Sequence, residues 1–184
     1  NLSGDLAPVL APDQVAVFGT DVALQLDARR EASGRTVVDR FDVTARSIRL
    51  GGTAEIAADG LPEWFDITGT LADPDGSPVA LPFVADTHVG RAEFHLTTEP
   101  GSETGWTGEV AVEGLDRPDL KIARMELTGS GRIGRTETGN RLDGTLAGRA
   151  FGIAPTDPAL AQALGPEIGG SLRMEFLEGS GALS

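Results

Sequence analysis

The chain predicts an all-β fold: an elongated, curved antiparallel or mixed sheet with an apolar concave face and one short helix near residues 157–164. Three observations carry this. Apolar and polar residues alternate with a period of two, which sets successive side chains on opposite faces of a strand. Turn signals recur about every ten residues, the spacing of an antiparallel meander. One stretch, Thr156 to Gly165, breaks the alternation and carries helix punctuation instead.

The strands follow in order. Val22, Leu24, Leu26 and Ala28 alternate with Ala23, Gln25, Asp27 and Arg29. Val37, Phe41 and Val43 fall on one face with Arg40, Asp42 and Thr44 opposite, and the polar Asp39 interrupts that apolar face. Ile48, Leu50, Ala54 and Ile56 alternate with Arg49, Thr53 and Glu55. Phe65, Ile67 and Leu71 oppose Asp66, Thr68 and Thr70. Phe94 and Leu96 oppose Glu93 and His95; Val110 and Val112 oppose Glu109 and Glu113. Leu142 and Leu146 face away from Asp143 and Thr145, and Leu172, Met174 and Phe176 from Arg173 and Glu175. One strand changes phase: Leu120 and Ile122 agree with each other but not with Met125 and Leu127. An extra residue near Ala123-Arg124, a β-bulge, restores the pattern.

Turns are expected at Ala32-Ser33-Gly34, Gly51-Gly52, Asp59-Gly60-Leu61-Pro62, Asp73-Pro74-Asp75-Gly76, Glu99-Pro100-Gly101 and Thr138-Gly139-Asn140. The helix has Thr156 or Asp157 as its cap, Pro158 in its first turn and Gly165 as its stop. A second helix or turn is expected around Ala11-Asp13-Gln14. A loose unit (apolar, polar, Gly, small, apolar) recurs at Ile67-Thr68-Gly69-Thr70-Leu71 and Leu142-Asp143-Gly144-Thr145-Leu146, and such units stack into elongated sheets.

Composition narrows the function. The 184 residues suit one unit, read here as a single β-rich segment, 1–184, of a longer protein. Fifteen basic residues against twenty-eight acidic give a net charge of −13, which repels nucleic acid and anionic membrane surfaces. There is no cysteine, hence no disulfide framework and no thiolate metal site. Residues 1–10 have no signal-peptide pattern, and no apolar run approaches a transmembrane helix.

Catalytic constellations are not expected. His88 and His95 are seven apart, so a continuous strand points them to opposite faces, away from a common metal. Asp73-Pro74-Asp75-Gly76 opens like a calcium loop but lacks the later acidic ligands, and reads as a tight turn. Gly169-Gly170-Ser171-Leu172-Arg173 is not a nucleophile elbow, and no phosphate-binding loop occurs. Glu63 beside Trp64 is the best carboxylate candidate, in a chain with two Trp and no Tyr to line a sugar cleft. No catalytic residue, metal or cofactor is expected.

The apolar face is therefore the candidate surface. In a closed sandwich its residues are core, and the chain is a structural or adhesive β-module. In an open sheet they line a groove suited to acyl chains, with Gly52, Ala54, Gly69, Gly144 and Gly148 leaving room among the aliphatic side chains. Exposed strand edges also open a route to self-association.

The stretch Gly152-Ile153-Ala154-Pro155-Thr156-Asp157-Pro158-Ala159-Leu160-Ala161-Gln162-Ala163-Leu164-Gly165, followed by Ile168-Gly169-Gly170-Ser171-Leu172-Arg173, resembles the TamB family of translocation and assembly module proteins. In that family a small helix followed by a strand opening on Gly recurs along a β-rich chain. The resemblance implies an AsmA-like protein anchored in the inner membrane of Gram-negative bacteria and extending through the periplasm. It implies a taco-shaped β-sheet with an apolar interior. It further implies phospholipid transport between inner and outer membrane, and outer-membrane protein assembly with a barrel partner of the Omp85 type. No catalytic residues carry over.

Overall fold

The computed structural model describes residues 2–4, 19, 22–81, 84–98, 105–136 and 139–177. The strands are β1 (Leu2–Gly4), β2 (Val22–Arg30), β3 (Thr36–Thr44), β4 (Ile48–Ile56), β5 (Pro62–Leu71), β6 (Val79–Ala80), β7 (His88–Val89) and β8 (Arg91–Thr98). They continue as β9 (Gly105–Asp116), β10 (Leu120–Thr136), β11 (Gly139–Pro155) and β12 (Glu167–Leu177), with one helix, α1 (Pro158–Leu164), before the last. The turn expected at Glu99-Pro100-Gly101, the residue Thr138 and the helix expected near Ala11–Gln14 lie outside the described residues.

The chain is all-β, one open curved sheet with one short helix. The order is β1-β2-β3-β4-β5-β8-β9-β10-β11-β12, with β6 and β7 as a side excursion. Every described pairing is antiparallel, so among the described residues the sheet is a meander with no parallel component. Sequential pairing across short turns keeps each strand beside the one before it.

The turns show why the strands reverse where they do. Gly34 (φ +89°) and Gly60 (φ +90°) take left-handed backbone, and each donates its N–H back to a carbonyl three residues earlier, Glu31 at 3.0 Å and Ala57 at 2.9 Å. Asp73 accepts from the Asp75 N–H at 2.8 Å, closing the Asp73–Gly76 turn. The Gly51-Gly52 turn does not form. Both glycines lie inside β4, and at Gly52 the absent side chain lets the β5 backbone at Asp66 and Ile67 approach closely. The reversal comes earlier, where the Ala45 N–H donates to the Ile48 carbonyl at 2.9 Å.

The expected bulge in β10 takes another form. β10 holds one unbroken register with β9 and with β11 on both sides of Ala123. Its lateral neighbours there, Gly114 and Gly152, have φ of +64° and +63°. Three strands thus change phase at the same level, so none slips against another. Beyond it Leu115, Ile122 and Ile153 are half-buried while Lys121 and Ala154 are exposed.

Helix α1 begins as expected. The Asp157 carboxylate caps it, accepting from Ala159 N at 2.8 Å and Leu160 N at 3.4 Å, and Pro158 needs no partner in the first turn. None of its residues is buried, and Leu160 projects into solvent. The helix is a connector between β11 and β12.

Candidate functional site: an uncovered apolar face

Registers convert the alternation into rungs that cross the sheet. One rung runs Leu24, Val43, Leu50, Gly69, Phe94, Val110, Leu127, Gly148, Gly170 from β2 to β12. The next runs Leu26, Phe41, Gly52, Ile67, Leu96, Gly108, Gly129, Leu146, Leu172. A third joins Ile48, Leu71, Ala92, Val112, Met125, Ala150 and Ile168. Ala54 and Phe65 extend the face at one end, with Ile56 in the same phase, and Leu142 lies beyond Leu146. Val22 shares the phase of Leu24, and in register Met174 lies opposite Gly144 and Phe176 opposite Leu142.

Val37 is the exception. Two bulge shifts on either side of β3 place one extra residue, Asp39, between Val38 and Arg40. Val38, opposite Ala28 and Ala54, therefore takes the apolar face. Val37 sits on the other face, opposite Arg29 and Glu55. Asp39 also leaves the apolar face and pairs with Arg29. The in-phase Asp39 was the signal for the bulge, since a carboxylate has no place in an apolar row.

The glycines of this face do not leave empty room. A Cβ at Gly69 collides with the Phe94 ring, one at Gly108 with Leu96, and one at Gly148 with Leu127. At Gly144 it lies 2.6 Å from Trp106 Cζ2. Large neighbours thus lean across each glycine, as cross-strand aromatic and aliphatic residues do on pleated sheets. Gly170 differs: a Cβ there meets nothing within 4 Å.

Little of the described chain covers the face. Among the described residues seven hydrophobic side chains are buried: Val37, Ala45, Val79, Val89, Trp106, Val112 and Ala150. Val79 and Val89 belong to the β6–β7 excursion, which is tied to β9 by the Gly90 N–H to the Glu113 carbonyl at 2.9 Å, while the turn that leads into it is tied to the β3–β4 turn by Ala72 N–H to the Ser47 carbonyl at 2.9 Å and Arg46 to Asp73 at 3.0 Å. Elsewhere the rungs are half-buried, and Leu26 and Leu172 are 56% and 64% exposed. A sheet packed against a second layer hides such residues. On β10–β12 the surface dips into an apolar depression of about 340 Å³, bounded by Met125, Leu127, Leu146, Ile168 and Leu172 over the Gly148–Gly170 floor. That is the lower end of the size of small-ligand clefts, about 300–1,000 Å³. Met125, Leu127 and Ile168 were not among the expected groove residues; the phase change at Ala123 hid the first two.

The opposite face is polar and laced with exposed ion pairs. Arg35 bridges Glu55 at 2.8 Å and Glu63 at 2.9 Å, so the carboxylate beside Trp64 shares a guanidinium with its neighbour. Trp64 is 42% exposed on this face rather than lining a cleft. His95 Nε2 lies 2.8 Å from Asp66, and His88 lies in β7 opposite Asp116. Among the described residues no group of three or more His, Cys, Asp or Glu side chains converges as a metal site. The Asp73 carboxyl is held below the usual carboxylate range, first by the Asp75 N–H and then by Arg46. These contacts close a turn and reach no cleft.

Among the described residues no helix is long and apolar enough to cross a membrane. Comparison with protein-family models, with curated proteins and with solved structures found no match.

Proposed function

We propose that the apolar face is the working surface of this chain and that it holds phospholipid acyl chains. The observation that carries this is the three-rung apolar face, continuous across the sheet and largely half-buried or exposed among the described residues. Branched aliphatic side chains without buried hydrogen-bond donors offer nothing to a polar ligand and much to a hydrocarbon. Burying hydrocarbon against such a surface is worth about 25 cal/mol per Å². The outward face, with its spread of exposed ion pairs, keeps the other side of the sheet in water.

In this reading the chain is a segment of a TamB-like, AsmA-related protein of the Gram-negative periplasm, anchored in the inner membrane. It carries phospholipid toward the outer membrane and serves outer-membrane protein assembly with an Omp85-type barrel. The resemblance of the Asp157–Gly165 helix and the following Gly-opened strand supports that placement. A structural or adhesive module with a closed core needs a second layer over these rungs, and the described residues supply only the β6–β7 excursion.

The test is native mass spectrometry of the purified chain, with lipid extraction. Phospholipid retained in stoichiometric amounts supports the proposal. A lipid-free chain that also fails to take up phospholipid from vesicles refutes it.

A further inference from the structure

Two hairpins of the sheet outrun the strands between them. β5 pairs with β8 only as far as Asp66, and the β4–β5 hairpin runs on past it to a turn where the Gly60 N–H donates to the Ala57 carbonyl. β10 pairs with β9 only as far as Arg132, opposite Gly105, so among the described residues the tip of the β10–β11 hairpin also extends beyond its neighbour.

These two tips are joined. The Arg135 guanidinium donates to the Asp59 carbonyl at 2.6 Å, and the Asp59 carboxylate lies 3.7 Å away. The partners are 76 residues apart in the chain, and β8 and β9 stand between their strands in the sheet. In a flat sheet β5 and β10 lie three strand spacings apart, about 14 Å. An arginine side chain does not span that, so the sheet must curl for the contact to form. Arg135 continues the row Leu127, Gly129, Gly131 and Ile133, so the curl is toward the apolar face and makes it the inside of a trough. Trp106, opposite Gly131 on the same face and near the same end, is 6% exposed.

We infer that the Arg135–Asp59 contact is a strap across this trough, which holds one end shut and withholds the rungs of Phe65, Trp106 and Leu142 from lipid until it opens. The inference rests on the reading of the apolar face as a lipid surface. Both strap side chains are about half exposed, at 48% and 49%, and a contact in that setting biases an equilibrium by at most about fivefold. The closed end is therefore favoured yet readily released. A ligand that needs the open end binds more weakly by the same factor, because only the open fraction is competent.

The chain has no cysteine, so an introduced pair reacts alone. Asp59→Cys with Arg135→Cys, joined by a reducible bismaleimide, replaces the strap by a covalent one. Asp59→Cys with Arg132→Cys, an exposed position on the polar face of β10, is the control. The first pair links within one chain several-fold faster than the second. In a Trp64→Phe background, acrylamide quenches Trp106 less in the linked chain than after the linker is reduced. A fluorescent phospholipid binds Arg135→Glu up to about fivefold more tightly than the parent, and binds the linked chain more weakly than the same sample after reduction. Circular dichroism and thermal melts establish the fold of each variant before titration. Linking at the control rate, or quenching that does not change on reduction, overturns the strap. Equal phospholipid affinity in the linked and reduced chains overturns its hold on lipid. A parent that takes up no phospholipid refutes the lipid reading instead, and the strap then stands or falls on the cross-link and the quenching.

Discussion

The Trp106 indole nitrogen donates to the Asp143 carbonyl 3.3 Å away, so one side chain from β9 reaches across β10 to the backbone of β11. The ring passes over Gly129 and Gly144, where a Cβ would stand 3.1 Å and 2.6 Å from it. Trp106 is 6% exposed, the one large aromatic side chain buried among the described residues. It ties together three strands that no second layer of the described residues clamps. Trp106→Ala is expected to cost about 3 kcal/mol, and Gly144→Val to cost as much by evicting the ring. Urea unfolding followed by far-ultraviolet circular dichroism measures both.

The two kinds of glycine on the apolar face predict opposite outcomes. Gly69→Ala pushes a methyl group into the Phe94 ring and is expected to destabilise by about 1–3 kcal/mol. Gly170→Ala meets open space and restricts the unfolded chain, so it is expected to stabilise by about 0.5 kcal/mol. Denaturant midpoints at low protein concentration separate the two.

Lipid uptake should follow the face and not the strand. Leu172→Asp places a charge beside the β10–β12 depression at an already exposed position, and is expected to reduce bound phospholipid about tenfold. Thr145→Asp, on the polar face of the adjacent strand, leaves uptake unchanged. A fluorescent phospholipid titration compares them, with thermal melts to show that both fold.

Asp73 gives a pH dependence of known sign. Its carboxyl titrates below the usual range because the Asp75 N–H and then Arg46 favour the charged form. A depressed folded value means that the contribution is fully present above the ordinary carboxylate range, near pH 4, and is lost as pH falls through the folded value. Asp73→Asn is therefore less stable than the parent at neutral pH, and the difference closes in acid. Urea melts from neutral to strongly acid pH check the convergence.

Much of this was legible in the chain, for a local reason. Side-chain direction in a strand alternates whatever the strand pairs with, so Leu24, Leu50, Ile67, Phe94 and Leu146 could be assigned to one face from spacing alone. The turns at Gly34, Gly60 and Gly76 and the Asp157 cap were equally legible, because a left-handed residue or a capping carboxylate acts within four residues.

Only the tertiary structure decided what depends on a neighbouring strand. The bulge at Asp39 moved Val37 off the apolar face, and shared breaks at Gly114, Ala123 and Gly152 replaced a bulge in one strand. Gly69, Gly144 and Gly148, expected to leave a groove open, are roofed by Phe94, Trp106 and Leu127, residues 21 to 38 positions distant whose reach no pattern of alternation encodes. The sequence alone determined which residues are apolar and in phase. Pairing decided that this face stays an open surface with few residues sealed beneath it, because register and coverage belong to pairs of strands and not to any one of them.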